Sequence, residues 1–327
     1  EVLGFILSLL SATAFAINAA AARRAVLSAS VMQGLAVTVP IGVPLFLLVA
    51  WLFGEAPALV SLPSVAVLWY GAAGIVHFVI GRYCNYAAAA AIGLNLAAPI
   101  LQSEVLVTLV LALAVLGEQM TPLRLVGILL VLFGPALVAG HDAAKGGAKA
   151  STLQFVPRYL EGYVYATLAA TAYGLSPICV GLAMKAAGHG TVLAGGVVSY
   201  VAATAVVAAL LAVTRQVGAM RQIDPRPLCW FALAGVCVCL SHVFRYGALS
   251  VAPISVVTAL QRLSSIIRIW VGWVINRDHE VFDNSVIVAT VVATAGAIIL
   301  SLSDETFLSL APWPEWIARI VRWRWGH

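Results

Sequence analysis

The chain has 327 residues, of which 62% are hydrophobic and only 9% are charged, and its formal net charge is +5. Soluble domains carry about 25% charged residues, so a mean hydropathy of +1.03 excludes one buried core under a solvated surface and predicts an all-α polytopic membrane protein. The small positive charge excludes nucleic acid as a partner, because no basic run with interleaved aromatic residues lies outside the apolar segments except at the C-terminus.

Ten apolar segments are long enough to cross a bilayer, since a spanning helix needs about 20 mostly apolar residues. The first has no basic stretch and small-residue cleavage site, so we expect a true span and not a leader. The predicted spans are 2–22, 30–53, 64–90, 94–116, 121–140, 161–185, 190–213, 228–250, 252–275 and 283–303.

The two halves of the chain echo each other. SATAFAIN, residues 11–18, returns as AATAYGLS at an offset of 158, Tyr86 pairs with Tyr246 at 160, and Glu118 pairs with Glu280 at 162. Five spans per half is an odd number, so the second half enters the membrane from the opposite side, which predicts an inverted repeat around a midplane substrate site. We therefore expect a first five-helix repeat over 1–140, a Gly/Ala/Lys-rich linker over 141–160, a second repeat over 161–303 and a tail over 304–327.

Short motifs carry a resemblance to a known family. They are Y-A-A…A-P-I from Tyr86 to Ile100, L-G-E at 116–118 and G-I-L-L-V-L-F-G-P at 127–135, with weaker copies in the second half, where N-R-D-H-E at 276–280 replaces L-G-E. With ten spans in two halves, the chain resembles EamA-type transporters of the drug/metabolite transporter superfamily. The resemblance implies transport of small organic metabolites, amino acids among them, often as export and without ATP. With it we expect an integral multi-pass protein of a bacterial inner membrane.

Two ionisable residues lie deep in predicted spans, where a charge is costly and usually faces a cavity or a partner. Glu104 is about eleven residues into the fourth span and Arg262 about ten into the ninth, at near-symmetric depths of the repeat. We expect them to face each other or one wet cavity. Either they form a coupling pair for substrate or protons, or they form a structural ion pair between the halves.

A second symmetric set comprises Arg82 and Asn85 in the third span and His242 and Arg245 in the eighth. Each pair is spaced i, i+3 and so shares one helix face. Lining of a cavity is the functional interpretation, while snorkelling of the arginines to the interface is the structural one.

The balance of charge points to a class of substrate. Arg82, Arg245 and Arg262 are set against the single acid Glu104, and guanidinium groups suit carboxylate and phosphate. The sequence thus predicts an anionic or zwitterionic solute, with Glu104 as the coupling acid. Further candidates for the cavity wall, with packing as the alternative role of the tyrosines, are Asn18, Ser176, Tyr86 and Tyr246.

Prolines inside predicted spans remove a backbone donor and bend a helix. Pro40 and Pro44 are expected to break the second span and Pro177 the sixth, while Pro99 is expected to start the regular part of the fourth. Freed carbonyls at such bends can line a cavity.

Basic residues of the predicted loops, among them Arg23, Arg24 and Arg158, put both termini outside the cytoplasm by the positive-inside rule. The resemblance implies the opposite orientation, with both termini inside. The C-terminal segment 311–325, rich in Trp and Arg at helical spacing, predicts an interfacial amphipathic helix that anchors to lipid or docks to a partner protein.

The sequence shows no enzyme signature. P-loop, GxSxG and HExxH motifs are missing, the five cysteines form no CxxC, and the six histidines have no metal-ligand spacing. We expect no cofactor, no metal and no catalysis. The predicted function is secondary transport by alternating access, and the alternatives are a non-transporting accessory or scaffold subunit of a membrane complex and a flippase for lipid-linked substrates.

Overall fold

The structure is a computed structural model that describes residues 2–116, 121–144, 156–220, 223–249, 251, 257, 260–302 and 304–323. These residues form helices, turns and short connections, with no strand among them. The helices are α1 Val2–Val26, α2 Val31–Thr38, α3 Gly42–Leu52, α4 Ala58–Ser61, α5 Ser64–Gly74, a π-helix Ile75–Gly81, α6 Arg82–Leu101, α7 Glu104–Leu116, α8 Pro122–Ala144, α9 Tyr159–Ala187, a 3₁₀ turn His189–Thr191, α10 Val192–Val213, α11 Val217–Met220, α12 Pro225–Leu249, α13 Ser264–Asn276, a 3₁₀ turn Arg277–His279, α14 Asn284–Ser301, α15 Asp304–Ser309 and α16 Glu315–Arg322.

Seven stretches of the described chain are long and apolar enough to cross a membrane. The predicted spans 64–90 and 94–116 fall in one helical stretch of 48 residues, Ser64–Leu111, and the fifth predicted span is represented by the shorter apolar segment Pro122–Phe133. Part of the ninth predicted span lies outside the described residues. A multi-pass helical membrane protein is thus confirmed, while the count of ten spans and the inverted repeat stay predictions. The other candidate spans are Val2–Val26, Val31–Leu52, Tyr159–Ala187, Val192–Val213, Pro225–Arg245 and Asn284–Ser301.

The second predicted span is interrupted where the prolines predict it. A capping box between Ser30 and Gln33 starts α2, which ends at Thr38, and α3 begins at Gly42. Pro40 lies in the turn between them, where its missing N–H and fixed φ do no harm to a helix.

Two other proline predictions are wrong. Pro177 lies inside α9, which runs without a break for 29 residues, and Pro99 lies inside α6. The interruption of α6 is instead at Gly93, whose φ of 81° and ψ of 172° are open to glycine but unfavourable for other residues.

The chain divides into two compact units. Unit 1 comprises Glu1–Ala16, Gly93–Pro157 and Leu240–His327, and unit 2 comprises Ile17–Ile92 and Arg158–Cys239. Each unit takes segments from both predicted repeats.

In unit 2, small residues let α10 pack closely on α5 and α3. A Cβ atom on Gly74 would lie 2.1 Å from the carbonyl oxygen of Ser199, so the two backbones touch at this point. The Ser199 hydroxyl donates to the carbonyl of Tyr70 at 2.7 Å, and the Tyr70 hydroxyl lies 3.1 Å from that of Thr191. Close approach without side chains in the way is a common means of helix association in lipid.

In unit 1, α8 packs along α14 in the same way. A Cβ atom on Gly296 would lie 2.7 Å from the carbonyl oxygen of Gly127. Near α1, the Ser11 hydroxyl donates to the carbonyl of Ser241 at 2.7 Å, and the Ser241 hydroxyl donates back to the carbonyl of Ser11 at 2.9 Å. These reciprocal bonds satisfy polar groups that lipid would leave unpaired.

Candidate functional site

The side chain of Arg82 lies at the junction of two helical forms in unit 2. The π-helix Ile75–Gly81 widens the turn just before it, a local feature that often marks functional sites. At the last residue of that segment, Gly81, a Cβ atom would lie 2.7 Å from the ring of Tyr173, so glycine makes room for the tyrosine. The wide turn and the small residue together bring Arg82 into an aromatic environment.

Arg82 is 5% exposed and its guanidinium contacts hydroxyls, a carbonyl and rings. It donates to the carbonyl of Thr38 at 3.3 Å, hydrogen-bonds Tyr200, and lies 5.0 Å from the centroid of the Phe78 ring. Within the described part of the chain, no carboxylate pairs with it. A buried cation is costly without an anion beside it, so this position suits an incoming negative charge.

We call Arg82 and the four residues that surround it the Arg82 cluster: Arg82, Thr38, Phe78, Tyr86 and Tyr200. The Tyr86 hydroxyl donates to that of Thr38 at 3.4 Å, and the rings of Phe78 and Tyr200 stack with centroids 3.9 Å apart. Tyr86 is 4% exposed. Its role at a substrate site stays a prediction, and the side chain of Tyr246 lies outside the described residues.

Two buried acceptors of unit 2 have no hydrogen-bond partner among the described residues. They are Oδ1 of Asn85, one turn after Arg82 on α6, and Oγ1 of Thr204, one turn after Tyr200 on α10. Buried oxygens are normally satisfied, so each is open to a donor from water or solute.

Asn18 and Ser176 are both buried in unit 2, with 8% and 7% exposure, so neither faces lipid. The threonines of the same repeated stretch bond to their own helices: the Thr13 hydroxyl donates to the carbonyl of Leu9 at 2.8 Å and that of Thr171 to the carbonyl of Thr167 at 2.9 Å. A cavity-lining role for Asn18 and Ser176 stays a prediction.

Glu104 and Arg262 meet in unit 1, where the guanidinium of Arg262 donates to a carboxylate oxygen of Glu104. The two side chains keep 26% and 21% of their surface exposed, so the pair is not sealed. Glu104 does not lie inside a continuous helix, as the predicted span implied. It is the first residue of α7, where its charge also favours the helix N-terminus.

His242 and Arg245 are half-buried on α12 in unit 1, whereas Arg82 and Asn85 belong to unit 2. The shared cavity predicted for all three arginines therefore stays a prediction. Close to His242, the amide of Gln261 donates to the hydroxyl of Ser11 at 2.7 Å, which ties the region before α13 to α1.

A buried carboxylate holds the break in α6. Glu280, 1% exposed, accepts the backbone N–H of Leu94 at 2.8 Å and that of Asn95 at 3.0 Å. These are the first free donors after Gly93. The negative charge of the carboxylate is favourable next to the positive N-terminal end of the helix that restarts there. The repeat pairs Glu280 with Glu118 by position, but the sequence does not predict this bonding, because the partners are 185 and 186 residues away.

Two arginines are buried among other helices. Arg23, predicted in a loop, is fully buried on α1 and donates to the carbonyls of Ala89 and Ala90 in unit 2, so it does not count toward membrane orientation. Arg268 is 6% exposed within α13 and lies 6.0 Å from the ring of Phe15. Free carbonyls and rings accommodate these cations, and spacing along the chain does not reveal such partners.

Comparisons with known proteins agree with this architecture. Residues 2–140 match the model of the EamA-like transporter family. This part of the chain is similar to that family. A solved crystal structure of a protein resembles the chain with a TM-score of 0.57 and 16% sequence identity, over 93% of this chain and 99% of that one. At this identity the likeness concerns the fold alone. A search of curated proteins finds no match.

The match over residues 2–140 agrees with the resemblance seen in the sequence motifs. The apolar helices fit a surrounding lipid bilayer. Among the described residues no cluster of His, Cys, Asp or Glu is arranged to hold a metal ion.

Proposed function

We propose that this protein, like the EamA-like transporters that residues 2–140 resemble, transports a small organic solute carrying a carboxylate or phosphate group, and that Arg82 binds that group. The observation that carries the proposal is the burial of the Arg82 guanidinium without a carboxylate partner in the described chain. A guanidinium offers a rigid fork of donors that fits two oxygens of such an anion.

The surroundings of Arg82 support binding of an anion over a permanent internal ion pair. The hydroxyl of Tyr200 accepts from the cation and can donate its own proton to a substrate oxygen. Oδ1 of Asn85 remains as an acceptor for an N–H or O–H of the same solute. The guanidinium charge, the nearby donors and the amide acceptor thus suit a polar metabolite. A quaternary cation would be repelled by Arg82.

Glu104 and Arg262 are the proposed coupling pair. They are in contact and yet one-fifth to one-quarter exposed, so water or a proton can reach them. Protonation of Glu104 would release Arg262, whose Nε is already buried without a hydrogen bond. Alternating access of two inverted halves, and export as the direction, complete the proposal as in the sequence interpretation.

Uptake into proteoliposomes tests the proposed function. A panel of carboxylates, phosphates and quaternary cations is compared for the wild type, Arg82→Gln, Arg82→Lys and Arg215→Gln, the last an exposed arginine of the same unit. A lost charge-assisted hydrogen bond weakens binding by about 10- to 100-fold, so Arg82→Gln should lose anion flux to that extent, Arg82→Lys should lose less, and Arg215→Gln should match the wild type.

Two results would overturn the proposal. One is transport of quaternary cations that is unaffected by Arg82→Gln. The other is an absence of flux for every solute from protein that melts normally, which favours the accessory-subunit alternative.

A further inference from the structure

The C-terminal helix α16, Glu315–Arg322, is too short to span a bilayer and leaves an apolar stripe uncovered. Trp316 is 63% exposed and Ile320 is 50% exposed, one turn apart, and Trp323 directly after the helix is 57% exposed. Tryptophans at such positions favour the boundary between lipid tails and headgroups.

The flank of α16 next to this stripe is charged. Arg319 and Arg322 are exposed there, and the only acid of the helix, Glu315, pairs with Arg319 over 3.9 Å in a fully solvated geometry. Such a pair contributes little, so both guanidinium groups remain available. A short helix with aromatic and basic faces is typical of segments that lie in the headgroup plane.

The C-terminal segment packs on itself and on another helix of unit 1. Within it the ring of Trp313 stacks on that of Phe307 with centroids 5.0 Å apart, and its Nε1 donates to the carbonyl of Phe307 at 3.0 Å. Val321 is 5% exposed, and α16 contacts α8 in unit 1. One side of α16 is thus covered by protein while the Trp316 stripe is not.

The bilayer surface is the partner within reach. Thirteen residues separate the end of the candidate span Asn284–Ser301 from Glu315, so α16 starts close to the membrane boundary. We infer that α16 binds anionic lipid headgroups through Arg319 and Arg322 while Trp316, Ile320 and Trp323 enter the interface. This inference is independent of the transported substrate.

Hydrogen exchange of the full-length protein in nanodiscs tests the inference. The amides of 315–323 are compared in phosphatidylcholine alone and in phosphatidylcholine with phosphatidylglycerol. Each basic residue near an anionic surface strengthens binding by about fivefold, so phosphatidylglycerol should slow exchange of this segment in the wild type, and high salt should remove the effect. Arg319→Gln with Arg322→Gln should lose protection by about 25-fold.

Two further variants separate charge from folding. Arg319→Lys with Arg322→Lys keeps the charge and should keep the dependence on phosphatidylglycerol. Arg215→Gln with Arg226→Gln removes two exposed arginines elsewhere and should also keep it. Equal exchange in both lipids, or a dependence that survives the double Gln change in the tail, would overturn the inference. Protection in native membranes but in neither nanodisc would indicate a protein partner and would overturn it as well.

Discussion

Removal of the Glu280 carboxylate is the sharpest test of how the helix break in α6 is stabilised. In Glu280→Ala the N–H groups of Leu94 and Asn95 lose their acceptor inside the protein, where both residues are 2% exposed or less. An unsatisfied buried donor costs about 1–3 kcal/mol, so the two together cost about 2–6 kcal/mol of the free energy of unfolding. Glu280→Gln keeps one acceptor and should lose about half as much.

Thermal unfolding in detergent, followed with a thiol-reactive dye, measures this loss. Four of the cysteines, Cys84, Cys179, Cys237 and Cys239, are buried and become reactive on unfolding, while Cys229 gives a constant background. For a protein of this size the midpoint should fall by at least about 3 °C in Glu280→Ala.

The matched control is Glu161→Gln, which removes an exposed glutamate paired with Arg158 on the surface. Surface pairs contribute little, so its midpoint should stay at the wild-type value. A Glu280→Ala protein that melts with the wild type would refute the reasoning. The carboxylate would then not be what satisfies the restarted helix.

Two further changes test the coupling pair and the packing of unit 2. Glu104→Gln keeps the shape of the side chain but removes the charge opposite Arg262. A pH gradient should then no longer accelerate uptake, while exchange of labelled for unlabelled substrate continues. Gradient-driven uptake equal to that of the wild type would contradict the coupling role. Gly74→Ala places a methyl group 2.1 Å from the carbonyl oxygen of Ser199 and should destabilise the fold by about 1–3 kcal/mol, measured by the same melting assay. Gly181→Ala, where a Cβ meets nothing within 4 Å, should be neutral or stabilising, and equal losses in both glycine variants would exclude the packing explanation.

Composition and periodicity were sufficient for the class of protein and most of its helices. A hydrophobic run must be satisfied by its own backbone bonds in lipid, so long apolar segments predict helices reliably. The missing N–H of proline predicted the turn at Pro40. The same reasoning failed at Pro177, because a proline can be accommodated in a membrane helix when neighbouring groups compensate for the lost bond.

The charged side chains needed the tertiary structure. Depth along a helix predicted that Glu104 and Arg262 would meet, because a charge in lipid requires a partner. Depth along a helix did not identify a partner for Arg23, because its acceptors are backbone carbonyls, which every residue carries. Sequence cannot distinguish one carbonyl from another, so such a bond is visible only when the helices are in place.

The sequence by itself determined that this chain is a helical membrane protein whose motifs resemble EamA-type transporters, because hydropathy and short apolar motifs are local properties. Only the tertiary structure decided that Arg82 lies beside Thr38 and Tyr200, and that Glu280 accepts the bonds of the helix that restarts after Gly93. Both features join residues far apart in the chain, and which of many possible pairs forms depends on how the helices pack.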